Sequence, residues 1–317
     1  MGELRKNYLL DKYVIIASER AKRPVQLKEL VKPKSDASQC PFCHLQDQVI
    51  LQEIPVSEDK IVVVPNKFPA VRTEGEPLIR TDNEFFTFSS AYGYHEVLIE
   101  TKKHDTELEE LSIEHVTTIL EAYAQRITYL RQQPNVRYVS AFKNRGIQAG
   151  ASIPHSHSQI MAVNFLPNHL AEEFKACYDY VIKKGQCPYC KIIGIEKGSY
   201  RRVWENEHAV CFTPYASEFP YEIWFFPKRH TTSITTLRKE ELMAIAELLH
   251  KVLNKLDQLG YPAYNIQVYE DNPHGEFHFH LQLTPRMTYW AGFEIETGAI
   301  INIVPPEQAA AFYRGEI

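Results

Sequence analysis

The chain carries one pattern twice. CPFC (Cys40 to Cys43) and CPYC (Cys187 to Cys190) are each followed by an apolar, strand-like stretch ending in histidine: YHEVLIETKKH, residues 94–104, and PYEIWFFPKRH, residues 220–230. In both, a glutamate stands eight positions before that histidine, Glu96 before His104 and Glu222 before His230. Apolar residues at helical spacing come next. They are Leu108, Leu111, Val116, Ile119, Leu120, Tyr123, Ile127 and Leu130 in the first copy. In the second they are Leu242, Ile245, Leu248, Leu249, Val252 and Leu256, with Gly260 as a C-terminal stop. A strand (VSAFKNRG, NIQVYEDN), a polar loop and a second strand (HSHSQ, HFHLQ) complete each copy, so both end in HxHxQ. Four elements in one order indicate duplication. The expected division is residues 1–170 and 171–317. His104 follows Cys40 by 64 positions and His230 follows Cys187 by 43, so residues near 71–93 read as an insertion.

With 317 residues, 44% of them apolar and 24% charged, the chain can bury a sizeable core. A formal charge of −5 argues against a nucleic-acid partner. No apolar run approaches the roughly 18 residues of a membrane helix. The opening MGELRKNYLLDKYVIIASER has no long apolar centre of the kind a signal peptide needs. A cytoplasmic protein is expected, and there CxxC reads as metal binding before disulfide or redox chemistry.

Side chains at i, i+2 and i+4 of a strand share one face. HxHxQ therefore gathers three polar groups, whose burial is costly without partners. Zinc takes four ligands, commonly two thiolates and two imidazoles. The expected sites are Cys40, Cys43, His104 and His155, and Cys187, Cys190, His230 and His278: two closed, structural zinc ions per chain. His157 and Gln159 remain free. The segment before them, Asn144 to Ser152, is rich in small residues (Gly146, Ala149, Gly150, Ala151), which let backbone N–H groups approach a phosphate. The matching segment of the second copy is bulky and acidic, with Glu270, Asp271 and Glu276, so the first copy is expected to carry the activity. A neutral histidine beside a phosphate can attack phosphorus. Gln159 can then donate to a non-bridging oxygen as charge builds.

These motifs, with NRGIQAGASIPHSHSQ and VIIASERAKRP, resemble the galactose-1-phosphate uridylyltransferase family of the histidine-triad superfamily, over residues 8–308. The resemblance implies an α+β fold: a duplicated histidine-triad-like fold with an antiparallel half-barrel sheet and flanking helices, assembled as a homodimer. It implies a double displacement in which His157 takes a nucleoside monophosphate from a nucleotide sugar and passes it to a sugar 1-phosphate. It further implies that the His155 backbone carbonyl orients His157. Arg20 and Arg23 would contact phosphate, and Asn66, Asn144, Gly150 and Ser152 would line the nucleotide and phosphate pocket. Two departures stand out. Ser156 occupies the place of the usual proline between the histidines, and Gly298 stands where many uridylyltransferases have a glutamine that contacts the hexose. Both resemble the branch that includes ADP-glucose phosphorylase, an adenylyltransferase with phosphate as acceptor. Two alternatives stay open: a triad hydrolase, against which Gln159 in place of a third histidine counts, and a non-catalytic zinc module. His95, His115, His208, His250 and His274 receive no role from spacing.

Overall fold

The computed structural model describes residues 2–22, 36–271 and 275–317; Arg23 lies outside them. The strands are β1 (Glu3–Lys6), β2 (Tyr13–Ile16), β3 (Gln52–Val56), β4 (Asp59–Pro65), β5 (Arg80–Thr81), β6 (Thr87–Phe88), β7 (Gly93–Ile99), β8 (Tyr138–Arg145), β9 (His157–Val163), β10 (Arg202–Glu205), β11 (Ala209–Phe212), β12 (Ile223–Pro227), β13 (Tyr264–Tyr269), β14 (His280–Pro285) and β15 (Ile300–Asn302). The helices are α1 (Ile113–Arg131), α2 (Asn168–Lys184), α3 (Pro188–Glu196), α4 (Lys239–Leu256), α5 (Gly292–Thr297) and α6 (Pro306–Arg314). Among them no helix is long and apolar enough to cross a membrane.

Ten strands form one antiparallel sheet in the order β10-β11-β12-β14-β13-β8-β9-β7-β4-β3. The order is its own mirror about the β13–β8 pair: five strands of the second repeat meet five of the first, with Tyr264 opposite Arg145 and Gln267 opposite Phe142. The duplication in the sequence is thus a near-symmetric sheet in space. The insertion between the first CxxC and His104 carries the β5–β6 hairpin, which stands apart as a two-stranded sheet.

One face of the sheet packs on α1 and α4. The α1 residues Val116, Ile119, Leu120, Tyr123, Ile127 and Leu130 and the α4 residues Leu242, Ile245, Leu249, Val252 and Leu256 join strand residues such as Ile61, Leu98, Ile160, Phe225 and Leu281 in one core. Both helices follow the 3.6-residue spacing. Helix α1 starts where the Ser112 side chain accepts from His115 N. The α4 segment ends at Gly260, whose φ of 88° only glycine adopts freely. Leu108 and Leu111, read as helical, fall in and just after a preceding 3₁₀ turn, Leu108–Glu110.

The opposite face differs between halves. In the second it is filled by Cys177, Tyr189, Val210, Phe212, Trp224, Phe226 and Phe277. In the first it is divided between two small clusters, Val62, Val64, Val97 and Ile99 with Phe42 and Leu45, and Val71, Tyr138 and Val163. Less apolar filling leaves room at the surface for a site.

Candidate active site and metal centres

Cys40, Cys43, His104 and His155 converge, as do Cys187, Cys190, His230 and His278; within each group the ligand atoms lie within 4.8 Å of one another. Cys43 Sγ is 3.4 Å from His104 Nδ1 and 3.5 Å from His155 Nδ1. Cys190 Sγ is 3.4 Å from His230 Nδ1 and 3.5 Å from His278 Nδ1. A tetrahedral ion with bonds of ~2.3 Å to sulfur and ~2.05 Å to nitrogen sets the two donors about 3.6 Å apart. The donor sets therefore suit a tetrahedral ion of zinc's size. The far ring nitrogen of each buried ligand is also fixed: His155 Nε2 donates to Thr101 O (2.8 Å) and His278 Nε2 to Pro227 O (3.1 Å). That second bond selects the tautomer that leaves Nδ1 as the ligand atom.

His155 precedes the strand. Only His157 and Gln159 lie on β9 and share a face by strand alternation, while the His155 ring turns to the thiols. Its backbone carbonyl turns the other way and accepts from His157 Nδ1 at 2.8 Å. His157 Nε2 has no partner among the described residues. The ring is largely buried and packs on Phe42, with centroids 5.0 Å apart. Burial, opposed by the bond to His155, holds the imidazole below its ordinary pKa and so keeps it neutral. His157 lines a cavity of about 110 Å³ together with Asn144, Gly146, Ala151 and Ser152.

The loop over this cavity follows from its small residues. Gly146 has φ 82°, and a Cβ there would lie 2.9 Å from Ala263 Cβ. Gly146 O accepts from both Ala149 N and Ala151 N, winding residues 147–149 into a 3₁₀ turn. Spacing missed the contribution of the second repeat: Asn265 Nδ2 donates to Asn144 Oδ1 (2.7 Å) and to Ala149 O (2.8 Å). Its only sequence signal is a polar residue opening the strand NIQVY.

His95 was also missed. Its Nδ1 accepts from Ala70 N at 3.2 Å, and its Nε2 lies 2.9 Å from Gln159 Oε1. Burial keeps the ring neutral, so the Nε2 proton goes to the Gln159 carbonyl and the Gln159 amide N–H groups stay available. Asn66 lines a second cavity beside His95, and its Nδ2 approaches His95 Nε2 to 3.2 Å. Arg20, Gly150 and Gly298 do not line the His157 cavity. Arg20 is exposed on the 3₁₀ turn Ser18–Lys22. Gly150 ends the loop's 3₁₀ turn at φ 88° without lining the His157 cavity. Gly298 is the left-handed cap of α5.

In the second repeat the corresponding His280 makes the same bond, Nδ1 to His278 O at 3.0 Å. Its ring, however, is wholly buried, stacked 4.7 Å from Phe226 and 5.0 Å from Tyr269. Its Nε2 meets Gln282 Nε2 at 3.0 Å, so neither ring nitrogen is left open. The paired glutamates also diverge. Glu96 forms a two-bond ion pair with Arg126 of α1 (2.8 and 2.6 Å), whereas Glu222 accepts from Glu218 N, Phe219 N and Trp224 Nε1.

Residues 2–167 match the profile of the galactose-1-phosphate uridyl transferase N-terminal domain, and residues 106–311 match a domain of unknown function. The chain belongs to the galactose-1-phosphate uridylyltransferase family. It is 32% identical to the galactose-1-phosphate uridylyltransferase of Thermotoga maritima, over 98% of this chain and 97% of that one. It is also 32% identical to the ADP-glucose phosphorylase of Arabidopsis thaliana, over 98% and 92%. The crystal structure of an Arabidopsis thaliana ADP-glucose phosphorylase with bound ADP-glucose superposes with a TM-score of 0.84 at 30% identity, covering 99% of both chains.

Proposed function

We propose that the protein is a nucleotidyltransferase that exchanges a nucleoside monophosphate between a nucleotide sugar and a sugar 1-phosphate through a covalent nucleotidyl-histidine. The observation that carries this reading is His157: neutral, anchored at Nδ1, and open at Nε2 on a cavity roofed by backbone. The Nε2 lone pair attacks the α-phosphorus. The bond from that phosphorus to the bridging oxygen breaks, and hexose 1-phosphate leaves with the electron pair. The Nδ1 proton stays on the ring, so the adduct carries an imidazolium charge that the His155 carbonyl faces. Gln159, its carbonyl occupied by His95, offers N–H groups to the non-bridging oxygens. A phosphate oxygen of the acceptor then attacks the same phosphorus and releases His157.

Zinc suits both thiolate–imidazole sites and would supply structure, clamping the His155 ring while its carbonyl serves the nucleophile. Residues 1–170 and 171–317 are proposed as the catalytic and the supporting repeat. A homodimer is supported by the exposed apolar hairpin residues Leu78, Ile79, Phe85, Phe86 and Phe88. A cytoplasmic setting suits six cysteines that form no disulfide. Equal identity to a uridylyltransferase and to ADP-glucose phosphorylase sustains a second reading, adenylyl transfer with phosphate as acceptor.

One experiment decides. The protein is incubated with UDP-glucose or ADP-glucose labelled in the α-phosphate. Acid-labile, base-stable label on the chain, lost in His157→Asn, is expected, and the donor that gives it names the base. No label from either nucleotide sugar refutes the proposal.

A further inference from the structure

The two serines of HSHSQ alternate with the histidines and so face the other side of the strand. There they meet a buried cluster. Ser156 Oγ donates to Glu100 Oε2 at 2.6 Å, and Ser158 Oγ donates to Glu100 Oε1. Lys143 Nζ donates to the same carboxylate at 2.6 Å, to Ser156 Oγ at 2.8 Å, and reaches the His157 carbonyl at 3.4 Å. Tyr123 OH completes the chain by donating to Ser158 Oγ. Glu100 and Lys143 are at most 1% exposed at the side chain. Backbone bonds reinforce the arrangement: Glu100 N donates to Ser156 O at 3.2 Å, and the His115 ring holds Glu100 O at 2.6 Å.

A buried ion pair is an expensive way to pack a strand, since desolvating two charges costs several kcal/mol each before their attraction repays it. The molecule itself shows that this fold does not require one. On the matching strand of the second repeat, Phe279 and Leu281 replace the serines, and both lie in the apolar core. Lys143 stands opposite Ser158, and its counterpart opposite Leu281 is Val268. The same histidine-to-carbonyl bond forms there over apolar packing. The costly version sits beside the histidine that lines a cavity, and Lys143 and Ser156 line that cavity with it.

We propose that Glu100, Lys143, Ser156 and Ser158 are positioning residues: one carboxylate, fixed by Lys143, tethers the residues on either side of His157 and holds the His155 carbonyl and the His157 ring in the attacking geometry. Two tethers and a lysine on the nucleophile's own carbonyl restrict the backbone that carries it. Apolar contacts resist sliding far less, because they are not directional. The catalytic consequence rests on the nucleotidyl-histidine reading; the positioning does not.

The test reads both. In ¹⁵N-histidine-labelled protein, the Nδ1–H of His157, identified by its loss in His157→Asn, reports the bond to His155 through its exchange with water. Single-turnover label transfer reports the chemistry. The variants are Ser156→Ala and the pair Glu100→Gln with Lys143→Met, which removes one charge of each sign; Glu107, 4.0 Å from Lys143 Nζ, keeps the hydrogen bond from Tyr261 OH. The control is Leu281→Ala, which opens a hole in the core behind the inactive repeat. Ser156→Ala and the pair are expected to raise exchange at least tenfold and to slow label transfer about tenfold, with KM for the nucleotide sugar within twofold. Leu281→Ala should lower the unfolding midpoint and change neither readout. Unchanged exchange in Ser156→Ala and the pair, or an equal rise in Leu281→Ala, overturns the proposal. Raised exchange with unslowed transfer overturns its catalytic part. A wild type that takes no label overturns the function proposed above, while the exchange comparison still decides the positioning.

Discussion

The two metal centres are matched in geometry and unmatched in what they support, so removing one ligand from each gives a sharp comparison. Cys43→Ser and Cys190→Ser each delete a thiolate 3.4 to 3.5 Å from two imidazoles. If both sites hold zinc as proposed, each should lower the zinc content by one ion per chain. The structural damage should be comparable, since His155 and His278 each keep a backbone bond through Nε2. The chemical damage should differ. Without the metal the His155 ring is held at Nε2 alone, which loosens the residue whose carbonyl, 2.8 Å from His157 Nδ1, anchors the nucleophile. That bond meets a charged ring in the adduct, and hydrogen bonds to charged groups contribute about 1.5–3 kcal/mol. At about 1.4 kcal/mol per tenfold, label transfer should fall roughly 10- to 100-fold in Cys43→Ser. His278 orients only His280, which is sealed among aromatic rings, so Cys190→Ser should retain transfer within about threefold. The assay is single-turnover labelling on samples whose zinc content has been measured. Equal losses of transfer in the two variants, or full transfer in a Cys43→Ser protein shown to lack one zinc, would refute the reasoning.

Three further outcomes follow from particular contacts. His95→Phe removes the donor to Gln159 Oε1; label transfer should slow about 3- to 10-fold with little change in donor KM, and an unchanged rate would detach His95 from the site. Burial lifts Glu173 to about 7, with Lys12 opposing and Glu218 adding to the shift, and its Oε2 is a buried acceptor with no hydrogen-bond partner among the described residues. Its folded value exceeds the unfolded one, so ionisation costs stability as pH rises from about 4.5 to 7, amounting to about 3 kcal/mol above that window. Glu173→Gln should therefore raise the urea midpoint at pH 8 and leave it unchanged near pH 4.5; a gain that does not depend on pH would contradict this. A Cβ at Gly93 would lie 1.9 Å from the Ala162 carbonyl on the paired strand β9. Gly93→Ala should destabilise by about 2 kcal/mol or more in denaturant unfolding, and an unaltered midpoint would show that β7 and β9 can separate locally.

Much of the site was legible because thiolates, imidazoles and small residues carry their chemistry in their identity. Cys40, Cys43, His104 and His155 could be grouped from one repeat and checked against the other. Helix periodicity placed α1 and α4 for the same reason: burying one face of a helix forces a 3.6-residue spacing whatever the neighbours are. Gln159 and His157 shared a face by strand alternation alone. His95 was not legible, because its role comes from β7 lying against β9 in a register that brings a residue 64 positions away to the Gln159 amide. Asn265 escaped for the same reason, since it reaches the active loop only through the β13–β8 junction between repeats.

The sequence alone determined that this chain is a duplicated unit, which residues can ligate metal, and which of two histidine motifs follows a loop of small residues. Those properties are local: they depend on side-chain chemistry, on spacing, and on the absence of side chains from a loop. Only the tertiary structure decided that His155 lies before its strand with ring and carbonyl turned to opposite tasks, that aromatic rings seal His280, and that Ser156 and Ser158 hang from a buried carboxylate. Each of these depends on partners distant in sequence, and the energy of a buried polar contact belongs to the pair and to its exclusion from water.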